Sequence, residues 1–146
     1  MTDLRELYQE TILDHYRKPR NSGRLADSNR MAEGFNPLCG DRVKLYLKVE
    51  DGVIRNVRFE GIGCAIATAS ASLMTESIKG KREDEALQLL ETIHNMVTGG
   101  TTTGDSGKLE VLAGVHEFPE RVKCATLAWH TLKAALENID KPVTTE

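Results

Sequence analysis

Residues 43 to 49 alternate strictly between apolar and polar side chains, which restricts this segment to a half-buried β-strand. The apolar positions are all odd-numbered: Val43, Leu45, Leu47 and Val49. A second segment, residues 53–62, also has mostly odd apolar positions, with Arg55 as the exception. Because both apolar sets must face one core, we predict an antiparallel hairpin that pairs 43–49 with 53–62.

The register of this hairpin depends on its turn. A two-residue turn would pair odd with even positions, so we predict a three-residue loop, Glu50-Asp51-Gly52, with Gly52 in the left-handed conformation. This register pairs Val49 with Val53 and Val43 with Phe59.

Helical periodicity accounts for most of the remaining chain. The predicted helices cover residues 3–16, 65–78, 83–97 and 119–139, with a short one at 109–113. Residues 20–38 have little periodicity and are predicted to form an irregular loop. We therefore expect an α+β fold in one domain, residues 1–146. It consists of a small antiparallel sheet, with a third short strand left open, packed against about five helices.

Composition excludes several classes of partner. The net charge of −3 lacks the basic character of a domain that binds nucleic acid. The longest charge-free stretch, residues 61–75, is too short and too polar to cross a membrane. The acidic N-terminus has no apolar region of the kind found in secretion signals. A cytoplasmic location is expected, where the three cysteines would be thiols or thiolate ligands.

Two of the cysteines are predicted to meet beside the hairpin. Cys39 and Asp41 have the parity of the buried face, and the predicted register places Asp41 opposite Gly61 and Cys39 opposite Gly63, next to Cys64. The glycines leave room for a bound ion. Cys64 also precedes the helix at 65–78, whose N-terminus would lower the pKa of its thiol.

The third cysteine is less constrained. Cys124 lies in the first turns of the last helix, where Arg121 and Lys123 are expected to favour its thiolate. Its spacing does not show that it reaches Cys39 or Cys64. Cys64 or Cys124 taken alone could also be a small buried apolar residue, whereas Cys39, in a Pro-Leu-Cys-Gly-Asp turn, fits that interpretation less well.

Four segments carry a resemblance to a known family. They are Asp14–Asn21 (DHYRKPRN), Asn36–Asp41 (NPLCGD), Gly61–Glu76 (GIGCAIATASASLMTE) and Arg121–Leu127 (RVKCATL). Together they resemble the IscU/NifU-N family of iron–sulfur cluster assembly proteins. Lys123 stands where IscU-type scaffolds have a histidine, their chaperone-binding segment is absent, and an additional stretch surrounds the helix at 83–97. In these three respects the chain is most similar to the SufU branch of the family.

This resemblance implies a function and a ligand set. The implied zinc ligands are Cys39, Asp41, Cys64 and Cys124. Cys39 would accept persulfide sulfur from a SufS-type cysteine desulfurase of the SUF machinery, as in a zinc-dependent sulfurtransferase. Arg121 and Lys123 would balance the negative charge of the site.

Two alternatives remain open. The same ligands would suit a scaffold that carries a transient [2Fe–2S] cluster, or a purely structural zinc module. Among the histidines, His15 and His94 are expected to be structural, and His130 lies on a different helix face from Cys124. His116 is kept as a reserve ligand.

Overall fold

The computed structural model describes residues 10–37, 40–99, 118–138 and 143–144, together with Leu109, Leu112 and Val115. Its helices are α1 (Glu10–Arg17), α2 (Ala65–Ile78), α3 (Glu83–Gly99) and α4 (Pro119–Leu136). Its strands are β1 (Arg30–Asn36), β2 (Asp41–Glu50), β3 (Val53–Ile62) and β4 (Val143–Thr144). The predicted α+β class is confirmed.

The helix predictions hold over most of the described chain. Helix α2 has the predicted limits, α3 extends to Gly99, and α4 begins at Pro119, a residue suited to the first helical turn. Helix α1 ends at Arg17, just before Lys18-Pro19. Residues 3–9 and most of the predicted helix at 109–113 lie outside the described residues. The predicted end of the last helix at 139 is wrong: α4 ends at Leu136, because the chain turns at Glu137 and at Asn138, whose φ is 57°.

The sheet has the strand order β3-β2-β1-β4. Strands β1, β2 and β3 are antiparallel neighbours, and β4 runs parallel to β1. The odd-numbered apolar residues of β2 are buried, as the alternation predicted. They face the helical layer, in which α2 and α4 contribute the largest share of buried side chains.

The prediction of an irregular loop at 20–38 is wrong for β1. The inward-facing residues of this strand are Ala32, Gly34 and Asn36, whereas the larger apolar side chains Met31 and Phe35 point the other way. A Cβ atom on Gly34 would collide with Thr131 Oγ1, so the absence of a side chain lets α4 lie directly on the strand. Because α4 packs so closely, the inward-facing positions of β1 are small or polar residues. The strand therefore lacks the alternation of large apolar and polar residues that would have predicted it.

The predicted hairpin register is also wrong, by one position next to the turn, where Val49 pairs with Ile54, and by two positions further along. Leu45 pairs with Phe59 and Val43 with Gly61. The turn has two residues, Asp51 and Gly52, with φ values of 52° and 74°, as Asp-Gly favours. An irregularity between Lys48 and Val49, opposite Arg55, then restores the pairing of odd with odd positions.

The bulge explains why Arg55 broke the alternation. Before it, the even-numbered Ile54 is fully buried and Val53 is only partly buried; beyond it, the odd-numbered Val57 and Phe59 are buried.

The sequence predicted that no segment crosses a membrane. In the described part of the chain, no helix is long and apolar enough to span a bilayer.

Candidate metal centre

Cys64 occupies the junction between β3 and α2. It is the N-cap of α2, with extended backbone angles (φ −68°, ψ 171°), and its Sγ accepts a hydrogen bond from the Ala67 amide at 3.4 Å. A residue at this position is exposed to the unpaired amides and the positive end of the helix dipole. The local fold therefore holds the sulfur and stabilises its thiolate.

Asp41, the first residue of β2, is held against Cys64. The residue is 3% exposed; its Oδ1 accepts a hydrogen bond from the Cys64 amide at 3.0 Å, and its Oδ2 lies 3.8 Å from Cys64 Sγ. One carboxylate oxygen is thus fixed by the backbone while the other faces the sulfur. No sequence pattern indicated the bond to the Cys64 amide.

Gly63, and not the predicted Gly61, lies against Asp41. A Cβ atom at Gly63 would be 3.3 Å from Asp41 Oδ1 and 3.1 Å from Ala67 Cβ. At Gly61 the close neighbour is the Arg42 carbonyl oxygen, so that glycine serves strand pairing. The glycine directly before Cys64 was the available signal for a close approach at this point.

Cys124 completes the group from α4. It is 2% exposed, and its Sγ lies 3.6 Å from the Glu120 carbonyl oxygen one turn earlier. Ligand atoms of Asp41, Cys64 and Cys124 all lie within 4.8 Å of one another. The chain thereby brings together side chains from β2, the start of α2 and α4, although the spacing of Cys124 did not predict it.

The pairing of the two thiols shifts their pKa values in opposite directions. The hydrogen bond from Cys124, with help from the Ala67 amide, lowers the pKa of Cys64 to about 6 despite partial burial. The same pairing, burial and the negative charges of Cys64 and Asp41 raise the pKa of Cys124. Arg121 and Lys123 lie within three residues of Cys124 in the first turns of α4, and their expected effect on its thiolate stays a prediction.

The donor set has the chemistry of a zinc site. Two sulfurs and a carboxylate oxygen are ligands that zinc accepts in tetrahedral sites. Both cysteines are free of disulfides. Cys39 and His116 lie outside the described residues. Among the described residues, the group within 4.8 Å contains no histidine.

The described histidines make other contacts. His15 is 1% exposed, and its Nδ1 lies 2.7 Å from Ser72 Oγ, which fits the predicted structural role. The rings of His94 and His130 contact each other edge to face, with centroids 5.9 Å apart, between α3 and α4.

Comparison with known proteins agrees with these features. Residues 7–145 match the family model of the NifU-like N-terminal domain. The iron–sulfur cluster assembly scaffold protein IscU of Thermotoga maritima is 45% identical over 139 residues, covering 93% of this chain and 96% of the relative. The zinc-dependent sulfurtransferase SufU of Bacillus subtilis is 44% identical over 133 residues, covering 90% of each.

A solved structure shows the same fold. FiSufU of Fervidobacterium islandicum AW-1, a proposed cluster assembly scaffold protein for the SUF system, superposes with a TM-score of 0.86 at 36% identity, covering 92% of this chain and 99% of that one. The resemblance to the SufU branch is thereby confirmed. The chain belongs to the NifU-like N-terminal domain family of iron–sulfur cluster assembly proteins.

Proposed function

We propose that this protein is a zinc-dependent acceptor of persulfide sulfur from a SufS-type cysteine desulfurase, serving the SUF assembly machinery. The observation that carries the proposal is the meeting of Asp41, Cys64 and Cys124 within 4.8 Å. Cys39 is the proposed fourth ligand and the acceptor. The similarity to the Bacillus subtilis sulfurtransferase supports the same function.

The proposed ligands divide into holders and an acceptor. Cys64 and Cys124 are anchored at helices by the Ala67 amide and by the first turns of α4. Cys39 lies in sequence between Asn36, which ends β1, and Asp41, which begins β2 and pairs with Asn36. Bound zinc would keep the thiols deprotonated at neutral pH. A thiolate in a connection can leave its ligand position with less rearrangement than one on a helix.

The transfer itself is a thiol exchange. The Cys39 thiolate attacks the terminal sulfur of the desulfurase persulfide, and a new S–S bond forms as the old one breaks. The desulfurase cysteine leaves as a thiolate, and the transferred sulfur stays on Cys39 as a persulfide. Arg121 and Lys123, both partly buried in the first turns of α4, are proposed to balance the negative charge of this exchange. Because it requires free thiols, we place the exchange in the reducing cytoplasm.

A second candidate function is that of a scaffold for a [2Fe–2S] cluster. The Thermotoga maritima relative, named as a scaffold protein, is as similar to this chain as the sulfurtransferase is. Lys123, in place of the histidine that precedes the third cysteine in IscU-type scaffolds, favours sulfur transfer.

The test is sulfur transfer from a SufS-type desulfurase to the Cys39→Ser variant. We expect capture of persulfide, detected by mass spectrometry, to fall by at least about two orders of magnitude, because serine is a far weaker nucleophile than a thiolate. Circular dichroism should show that the fold is retained. Undiminished stimulation of the desulfurase would contradict the assignment of Cys39.

A matched variant separates the holders from the acceptor. Cys64→Ser should lose metal as well as transfer, because this sulfur caps α2 and contacts Asp41. A structural zinc module would give the opposite pattern at Cys39: loss of folding with transfer unaffected in the folded fraction.

A further inference from the structure

Helix α2 carries two fully buried serines that contact different helices. Ser72 Oγ accepts a hydrogen bond from the Arg20 amide at 2.9 Å and lies 2.7 Å from His15 Nδ1, which connects α2 to α1 and the segment after it. Ser70 instead contacts α4. The two serines belong to one sequence motif, but they connect α2 to opposite neighbours.

Ser70 makes two hydrogen bonds to α4. Its hydroxyl donates to the Ala125 carbonyl oxygen at 2.6 Å and accepts a hydrogen bond from Trp129 Nε1 at 3.1 Å. Ser70 and Ala125 are fully buried, and Trp129 is 2% exposed. Breaking this pair would take from the buried Trp129 Nε1 its hydrogen-bond acceptor, so the bonds favour one arrangement of the two helices.

The position of these bonds relates them to the two thiols. Ala125 directly follows Cys124, and the helix that carries Ser70 begins at the Cys64 cap. The hydroxyl of Ser70 therefore fixes α2 to α4 one residue away from Cys124. A metal centre needs its ligands within about 0.5 Å of their working positions, and packed helices move as units, so a shift of α4 would move the sulfur with it.

We propose that Ser70 is a positioning residue, which sets the separation of the Cys64 and Cys124 sulfurs through its bonds to Ala125 and Trp129. The inference rests on the proposed function in one respect, namely that both sulfurs bind the same ion. Ser70 itself is not a ligand, and its effect reaches the centre through the backbone of α4.

The test compares Ser70→Ala with Ser72→Ala. Both changes remove a buried hydroxyl from the same helix, but among the hydrogen bonds of the described residues the first breaks those to α4 and the second those to His15 and Arg20. The probe is Co²⁺ bound in place of zinc, because its thiolate charge-transfer and ligand-field bands report tetrahedral sulfur coordination. Affinity is measured by competition with a chelator, and stability by urea unfolding of the metal-free protein.

We expect Ser70→Ala to lose about tenfold in Co²⁺ affinity, the loss typical of groups that orient metal ligands, with altered ligand-field bands. Ser72→Ala should stay within about twofold of the wild type, as for an independent site, and keep the wild-type spectrum. Equal affinities and spectra for the two variants would overturn the proposal.

Two further outcomes are distinguishable. A wild-type protein that takes up Co²⁺ without a thiolate band would refute the proposed metal centre itself, independently of Ser70. If Ser70→Ala does not fold, Trp129→Phe removes the other partner of the same hydroxyl, and we expect a smaller loss of affinity in the same direction. A Trp129→Phe variant equal to Ser72→Ala would then overturn the proposal.

Discussion

At the scale of single residues, the candidate centre depends on how each side chain is held. The Cys64 sulfur is fixed by the Ala67 amide, and Asp41 by the Cys64 amide. The carboxylate can reach that amide because Gly63 has no side chain. A residue that supplies no ligand atom is therefore as necessary to the geometry as one that does.

Gly63→Ala tests this dependence. The added methyl group would lie 3.3 Å from Asp41 Oδ1 and should displace the carboxylate, so we expect a loss of about tenfold in zinc affinity. Zinc affinity is measured by competition with a chromophoric chelator. Wild-type affinity in this variant would show that Asp41 does not need its observed position.

Gly61→Ala is the matched control. Its methyl group would collide with the Arg42 carbonyl oxygen, which belongs to the backbone and cannot swing away. We expect this variant to lose about 1 to 3 kcal/mol of unfolding free energy, as for other overpacked sites. The two glycines, two positions apart, thus separate a site effect from a fold effect.

At the scale of elements, α3 contacts α4 through a pair of histidines. His94 and His130 meet edge to face, and Lys133 lies in the same pocket. Burial, followed by the charges of His94 and Lys133, lowers the pKa of His130 below its usual value of 6.5. This contact is therefore made with His130 in its neutral form.

His130→Gln should change the pH dependence of stability. The unfolded chain takes up a proton at His130 near pH 6.5, whereas the folded chain does so only at lower pH. Stability should thus be fully present above this pH and decline as the pH falls through it. Urea unfolding at several pH values should show a shallower decline in the variant. An identical decline in both proteins would contradict the role of His130.

The elements also show where sequence patterns succeed. The alternation at 43–49 predicted β2 because its large apolar side chains are buried against the helices, and periodicity predicted α2, α3 and α4. Strand β1 was missed because α4 lies so close to it that Gly34 and Ala32 replace large apolar residues. The register was missed because the extra residue at Arg55 compensates for the two-residue turn. The pattern shows that odd positions pair with odd positions, but not whether a longer turn or a bulge produces this pairing.

The candidate site was predictable to a different extent. Local spacing brought Asp41 near Cys64 even though the register was wrong, because a strand end and a helix start are neighbours in either register. The position of Cys124 depends on how α4 packs against α2, which residues far apart in sequence determine together. Only the resemblance to a known family implied it.

At the scale of the whole molecule, the centre connects three parts of the fold. Asp41 begins β2, Cys64 caps α2, and Cys124 lies in α4. An ion bound by all three would join the sheet to the two helices that cover it. Such binding favours the folded chain, since the unfolded chain holds no preformed site.

Removal of the metal should therefore destabilise the protein. We expect chelation to lower the unfolding free energy by roughly several kcal/mol and the melting temperature accordingly, with recovery when zinc is restored. Cys64→Ser should melt at the same temperature with or without chelator. A wild-type melting curve that chelation leaves unchanged would mean that the ion does not join these elements.

The most direct test is metal analysis of the protein purified without added metal, combined with its visible absorption spectrum. We predict one zinc ion per chain and no visible absorption, with zinc lost in the Cys64→Ser and Cys124→Ser variants. Iron and sulfide in equal amounts, with the brown colour of a cluster, would contradict the proposed zinc centre.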